Sequence, residues 1–307
     1  MTHEAGLQDL LHKTSRTFAL TIPLLPQPMQ HEVGIAYLLF RVIDSFEDAT
    51  LWAPEERVRA LGEFGPLLRD PELRSVCAAA ERWVREPPLE HAGYLELIER
   101  LPEVLAWHAA LRPLAREQIR LHLERTASGM AEFVARTDGQ GALQLDTLHE
   151  LRDYCFVVAG IVGELLTELY VLGCPQLAKV APRLRERAPL FGEGLQLVNI
   201  LKDVHPDAEE GRVYLPREVG LHEVFELAHA DLRAALEYTE LLREGNADLG
   251  VVKFNALNAR LAVATLRELS DRGLGAKLSR VQLRGVTEDV LRSIHDGASL
   301  FPEGGAV

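Results

Sequence analysis

The run YLLFRVIDSFED at residues 37–48 sets one arginine and three acids into otherwise apolar sequence. On a helix of 3.6 residues per turn, Tyr37, Arg41, Asp44 and Asp48 share a face, with Glu47 beside it. Leu38, Leu39, Val42, Ile43 and Phe46 fill the other sides. A helix apolar nearly all round belongs inside a protein. Charged side chains are rarely buried there unless paired or bound to metal. The stripe must therefore face a partner helix, a metal or a polar ligand.

A second run, GLQLVNILKDVHPD at 194–207, repeats the arrangement. Gln196, Asn199, Asp203 and Asp207 fall at i, i+3, i+7 and i+11 on an apolar background. Two inward acidic stripes can face each other across a cavity. Oxygen donors without histidine or cysteine suit a hard cation. Magnesium keeps several waters and is held by a few carboxylates together with substrate phosphates. Arg16, Arg41, Lys202 and Arg212 lie close to these motifs and would give a diphosphate its cationic contacts, the arginines as forks. Either stripe alone reads equally as a salt bridge between packed helices or a solvated face. Pro206 has no backbone N–H and predicts a kink or a helix end there, which sets Asp207 on a distorted turn. His205 reads as a solvated histidine.

Between the two motifs lies YCFVVAGIVG at 154–163. Tyr154 shares a helical face with Val158, Ile161 and Leu165, so its hydroxyl points into apolar surroundings and needs a partner. Ala159, Gly160 and Gly163 permit either a close helix crossing or a helix thinned to leave room for a long apolar ligand. GMAEFV at 129–134 reads as core with an exposed Glu132.

The elements that must carry these residues are helices. Periodicity predicts them over about 6–18, 29–49, 54–68, 71–85, 93–107, 113–136, 146–172, 176–205, 222–246, 249–272 and 280–295. Period-two strand patterns are scarce, and turn signals such as REPPLEHAG, TDGQGA and EEGRVYLP fall between the helices. One compact all-α domain over 1–307 is expected. The 307 residues are 47% hydrophobic, ample for a large core. A net charge of −13 argues against binding nucleic acid or anionic membrane by bulk charge. Three cysteines without CxxC make a disulfide framework or zinc site improbable and fit a reducing cytoplasm. The start lacks the apolar core of a signal peptide. Arg41 interrupts one long apolar stretch, and Glu164 with Glu168 another, so no transmembrane helix is expected.

KTSRTF (13–18), YLLFRVIDSFED, GMAEFV, YCFVVAGIVG, and QLVNILKDVHPD (196–207) followed by GRVYLP resemble the squalene and phytoene synthase family, most closely its squalene synthase branch. The resemblance runs in the family's order from about residue 8 to 295. It implies an all-α isoprenoid synthase fold, a single bundle of helices around a deep central cavity. It also implies head-to-head condensation of two farnesyl diphosphates through presqualene diphosphate to squalene, with Mg2+ and NADPH. By motif match, Asp44, Glu47, Asp48, Asn199, Asp203 and Asp207 would hold magnesium and diphosphate, with Gln196 in support. Ser15, Arg16, Phe18, Tyr37, Arg41 and Arg212 would line the substrate. Tyr154 would steer proton loss or the cyclopropyl rearrangement, and Phe18, Tyr37, Phe40 and Phe133 are candidates to face a carbocation. Lys202 and Lys277 would meet the dinucleotide, although Ser279 stands where a further basic residue is expected, and Asn258 and Arg260 depart from the usual form of their helix. A membrane-anchoring tail like that of eukaryotic squalene synthases is not recognised, which implies a bacterial-type soluble enzyme that touches a membrane peripherally to release product. Within the family, synthesis of dehydrosqualene, phytoene or presqualene diphosphate without reduction is the alternative. Outside it stands a non-catalytic isoprenoid-lipid-binding protein, against which the intact acids of both motifs argue.

Overall fold

Helical spacing of apolar residues organises almost all of the chain. The computed structural model describes residues 3–15, 17–69, 73–137, 143–209 and 211–301, apart from the side chains of 3, 73 and 207. The chain divides into two compact units, Met1–Pro23 with Gln27–Gly141 and Leu24–Pro26 with Ala142–Val307.

The first unit contains α1 (His3–Thr14), the single turn α2 (Phe18–Thr21), α3 (Met29–Glu47), α4 (Pro54–Arg69), α5 (Leu73–Arg85), α6 (Ala92–Glu99), α7 (Leu101–Ala109) and α8 (Pro113–Ala135). Helix α3 packs against α1, α4, α6, α7 and α8, as expected of a helix apolar nearly all round. Leu38, Leu39, Val42, Ile43 and Phe46 are all fully buried. The helix expected over 93–107 is broken at Arg100. Pro102 explains the break, because its ring clashes with the carbonyl four residues back and it offers no N–H. Helix α1 stops at Thr14 rather than running to 18, and the Ser15 hydroxyl then accepts from the Phe18 amide at 2.9 Å.

The second unit contains β1 (Leu143–Gln144), α9 (Leu148–Cys155), a π-turn (Phe156–Gly160), α10 (Ile161–Gly173), α11 (Ala181–Glu209), β2 (Arg212–Val213), α12 (Leu221–Glu244), α13 (Leu249–Arg272) and α14 (Arg280–Asp296). Helix α11 is central and packs on α9, α10, the π-turn, α12 and α13. Gly163 and Gly192 let it close on α10: a Cβ at Gly163 would stand 2.0 Å from the Ala188 carbonyl oxygen, and one at Gly192 2.0 Å from that of Ala159. The small residues of 154–163 therefore serve a helix crossing. The π-turn inserts an extra residue into the helix expected over 146–172 and rotates its faces. Tyr154 and Ile161 stay buried while Val158 becomes half-exposed. The parallel pair β1–β2, Leu143 opposite Arg212, has no alternating pattern to announce it and was not expected.

Over Leu148–Gly173 the mean hydropathy of an 18-residue window reaches 1.9, so by length and composition this segment could cross a bilayer, contrary to the expectation from Glu164 and Glu168. In the fold 44% of that window is buried, and Glu168 accepts a fork from Arg185 at 2.7 and 3.0 Å. Cys77, Cys155 and Cys174 are free thiols.

Candidate active site

Between Glu32 and Ala49 every residue is buried except Tyr37, Arg41, Asp44 and Asp48. The stripe is thus the one open face of a buried helix. Glu47 does not share it. It is 4% exposed, and its backbone carbonyl accepts from the Arg57 guanidinium. Three residues beyond Asp44, it lies about 60° off the stripe on a 100°-per-residue helix.

Arg41 is held from three sides. One nitrogen stands 3.3 Å from the Asp44 carboxylate. Its guanidinium lies 5.7 Å from the centre of the Tyr37 ring and 5.3 Å from that of Tyr94. Tyr37 donates its hydroxyl to the Thr14 carbonyl at 2.9 Å and packs on Phe18 with 5.3 Å between ring centres. Burial drives the Asp44 carboxyl up to about 6; the nearby Asp48 charge adds to this and Arg41 opposes it. Two carboxylates one turn apart on an open helix face form an oxygen donor set suited to a hard cation. Phe40 and Phe133, considered as faces for a carbocation, are 6% and 7% exposed.

In the second unit the site residues gather where α11 bends. Its one non-helical residue is Asp203, at φ −106° and ψ 15°, and the helix continues to Glu209. The distortion expected at Asp207 sits one turn earlier. Proline strains the helix against the preceding turn, so Pro206 displaces Asp203 rather than its successor. The Lys202 ammonium lies 3.2 Å from Asp203 and 2.7 Å from the Asn199 amide oxygen. Lys277 approaches Asp203 at 3.6 Å. Gly275, at φ +82°, donates its amide to the Leu201 carbonyl at 3.2 Å and packs its Cα side against the His205 ring, which fixes the Lys277 loop on the bend. His205 is exposed, Gln196 half-buried and Arg212 half-buried on β2. Tyr154 is buried and stacks on Tyr214, 4.6 Å between centres.

The sequence-predicted residues thus assemble in two groups: Ser15, Phe18, Tyr37, Arg41, Asp44 and Asp48 in one unit, and Gln196, Asn199, Lys202, Asp203 and Lys277 in the other. Arg16 lies outside the described residues, and the Asp207 side chain is likewise not described. Among the described residues no three acid, histidine or cysteine side chains converge closely enough to cage a metal. Sequence reasoning missed Tyr94, Tyr214 and the buried acids Glu193 and Asp231. None of these falls in a charged stripe; Tyr214 could have been found from its place in GRVYLP.

A protein-family model described as squalene/phytoene synthase matches residues 11–224. The squalene synthase of Eremothecium gossypii is 30% identical over 224 residues, which are 72% of this chain and 47% of that protein. Inactive squalene synthase 2 of Arabidopsis thaliana is 27% identical over 220 residues, 71% of this chain and 48% of that protein. The chain therefore spans about half the length of these curated relatives, at 47% and 48%. The solved complex of TcSQS with the ligand BPH1237 has a TM-score of 0.73 and 26% identity, and covers 96% of this chain and 90% of that one.

Proposed function

Because this chain belongs to the squalene/phytoene synthase family, and its helices to the isoprenoid synthase fold, we propose that it joins two farnesyl diphosphates head to head through presqualene diphosphate to squalene. The observation that carries the reading is the open stripe Tyr37, Arg41, Asp44 and Asp48 on an otherwise buried helix. Membership of the family does not by itself establish turnover, as the relative named inactive shows.

In this reading Asp44 and Asp48 on α3 would offer oxygen donors to magnesium and diphosphate, and Asn199, Asp203 and Asp207 on α11 would offer a second such set. Magnesium when bound supplies Lewis-acid neutralisation of the charge that builds on the departing diphosphate. Arg41 adds a fixed cation to the same charge, already oriented before the bond breaks. Phe18 and Tyr37 present ring faces to the allylic cation left behind. Tyr154 is buried against a second ring, and its phenol is the protein group that would steer proton loss within the apolar wall. NADPH, where used, would supply the hydride of the second half-reaction.

Lys202 and Lys277 favour a second reading. Both ammonium groups are engaged with Asp203 rather than displayed for a dinucleotide. The reaction would then end without reduction, at presqualene diphosphate or dehydrosqualene.

The test is incubation with farnesyl diphosphate and magnesium, with and without NADPH, followed by mass spectrometry of the extract. Squalene formed only with NADPH supports the first reading. Presqualene diphosphate or dehydrosqualene regardless of NADPH supports the second, and turnover of geranylgeranyl diphosphate alone points to phytoene. No turnover of any prenyl diphosphate overturns the catalytic reading.

A further inference from the structure

Arg41 touches its acid less than its surroundings allow. A guanidinium three residues before a carboxylate on one helix can fork onto it through two parallel hydrogen bonds. Here the nearest nitrogen stands 3.3 Å from Asp44, and the buried Nε has no hydrogen-bond partner among the described residues. Two aromatic rings hold the group as well. The Tyr37 ring comes from the same helix, and the Tyr94 ring from α6. Tyr94 is itself braced: the His91 ring stacks on it at 4.0 Å and 27°, and His91 Nδ1 accepts the Tyr94 amide at 3.3 Å. His91 is at the same time the N-cap of α6, so the brace belongs to the helix start and is not a chance surface contact.

We propose that Tyr94 is a positioning residue of the diphosphate site: with Tyr37 it cages the Arg41 guanidinium, keeping it beside the Asp44–Asp48 stripe and available to an incoming diphosphate instead of collapsing onto the carboxylates. The inference rests on the diphosphate reading above. Arginine stacks on aromatic faces and forks onto phosphate oxygens, so one guanidinium can satisfy both demands at once. Without the Tyr94 ring, Arg41 swings toward Asp44 and Asp48. The carboxylates then lose their openness to a divalent cation, and the diphosphate loses its prearranged fork. Burial raises the Tyr94 phenol above its ordinary value, so the caging ring is neutral at working pH and attracts the cation through its face.

The experiment is calorimetric titration of the full chain with inorganic diphosphate in excess magnesium, paired with steady-state kinetics on farnesyl diphosphate. Tyr94→Leu weakens diphosphate binding about tenfold and raises KM to match, with kcat changed less than about threefold. Tyr94→Phe, which keeps the ring, restores most of the binding. A thermal melt checks folding; should Tyr94→Leu not fold, Tyr94→Met fills the space without a ring and takes its place. Diphosphate binding by Tyr94→Leu equal to wild type overturns the cage, and so does a Tyr94→Phe variant as weak as Tyr94→Leu. Wild type that binds diphosphate but turns over no prenyl diphosphate overturns the catalytic reading and leaves the cage standing. Wild type that binds no diphosphate overturns both.

Discussion

The rings of Tyr154 and Tyr214 lie 4.6 Å apart and 24° from parallel, so the buried tyrosine of the π-turned helix is held in place by the segment that follows α11. Tyr214 is anchored next to β2, whose Val213 carbonyl accepts from the Leu145 amide at 3.4 Å. Ring and hydroxyl of Tyr154 should then separate experimentally. Tyr154→Phe preserves the stack and should shift stability by less than about 1 kcal/mol, while lowering the rate or changing the product. Tyr214→Ala removes a ring that is 6% exposed and should destabilise by about 3 kcal/mol. Thermal melts and product analysis of both variants give the comparison. A Tyr154→Phe enzyme with full rate and an unchanged product would remove the hydroxyl from the chemistry.

Gly163 makes the α10–α11 crossing possible, and its cost of substitution follows from geometry. A methyl group there would stand 2.0 Å from the Ala188 carbonyl oxygen, and backbone cannot swing aside as a side chain can. Gly163→Ala should destabilise by about 2 kcal/mol or more even though alanine favours helix. Chemical denaturation measures it. A variant as stable as wild type would mean that the two helices part freely, and the crossing would lose its structural importance.

Much of this was legible because burial here is nearly all-or-none. Between Glu32 and Ala49 the apolar residues leave four positions open, and these are the four that period 3.6 aligns. Helix α13 runs over Leu249–Arg272 as expected, since Asp248 caps its start and Gly273, at φ +93°, stops it. What escaped is what helical periodicity does not encode. The π-turn changes the period inside one helix. The β1–β2 pair is two residues long. Tyr94 joins the Arg41 stripe through a helix distant in sequence, and a lone tyrosine in GYLELIE carries no sign of its partner. The bend at Asp203 was half visible: Pro206 announced it, but proline acts backward along the chain.

Asp231 and Glu193 form a buried acidic pair on α12 and α11, with 3% and 5% exposure. A Cβ added to Gly194 would come 3.1 Å from that of Asp231, and an Arg152 nitrogen stands 3.8 Å from Glu193. Burial, with the Glu193 charge behind it, raises Asp231 to about 7, and among the described residues Asp231 Oδ2 has no hydrogen-bond partner. The folded carboxyl therefore holds its proton to a higher pH than the unfolded one, which ionises near 3.8. Stability from this group is full below about pH 4, falls as pH rises through the window to about 7, and is level beyond it. Asp44 titrates in the same direction, so the measurement is the difference between wild type and Asp231→Asn across that window. The variant should be the more stable by a few kcal/mol at pH 8. Parallel stability curves for the two proteins would show that Asp231 is already ionised in the fold.

Asp44 connects the same physics to the proposed metal. Its carboxyl is raised to about 6 by burial and by Asp48, against the pull of Arg41. A protonated carboxyl is not a magnesium ligand, and a cation that binds the carboxylate displaces the proton. Proton and magnesium should therefore compete. At pH 7.5 the carboxylate is mostly ionised. About one unit below its pKa it is ionised in roughly one molecule in ten, and the magnesium concentration for half-maximal turnover should rise about tenfold. Saturating magnesium should recover most of the rate, because the loss lies in affinity rather than in the chemical step. Asp48→Asn removes the neighbouring charge that helps raise Asp44, so its magnesium requirement should be higher at neutral pH yet less sensitive to acid. Magnesium titrations of turnover at pH 5 and pH 7.5, for wild type and Asp48→Asn, measure both effects. An acid loss that no magnesium concentration reverses would place the titrating group elsewhere than in the metal's ligand set.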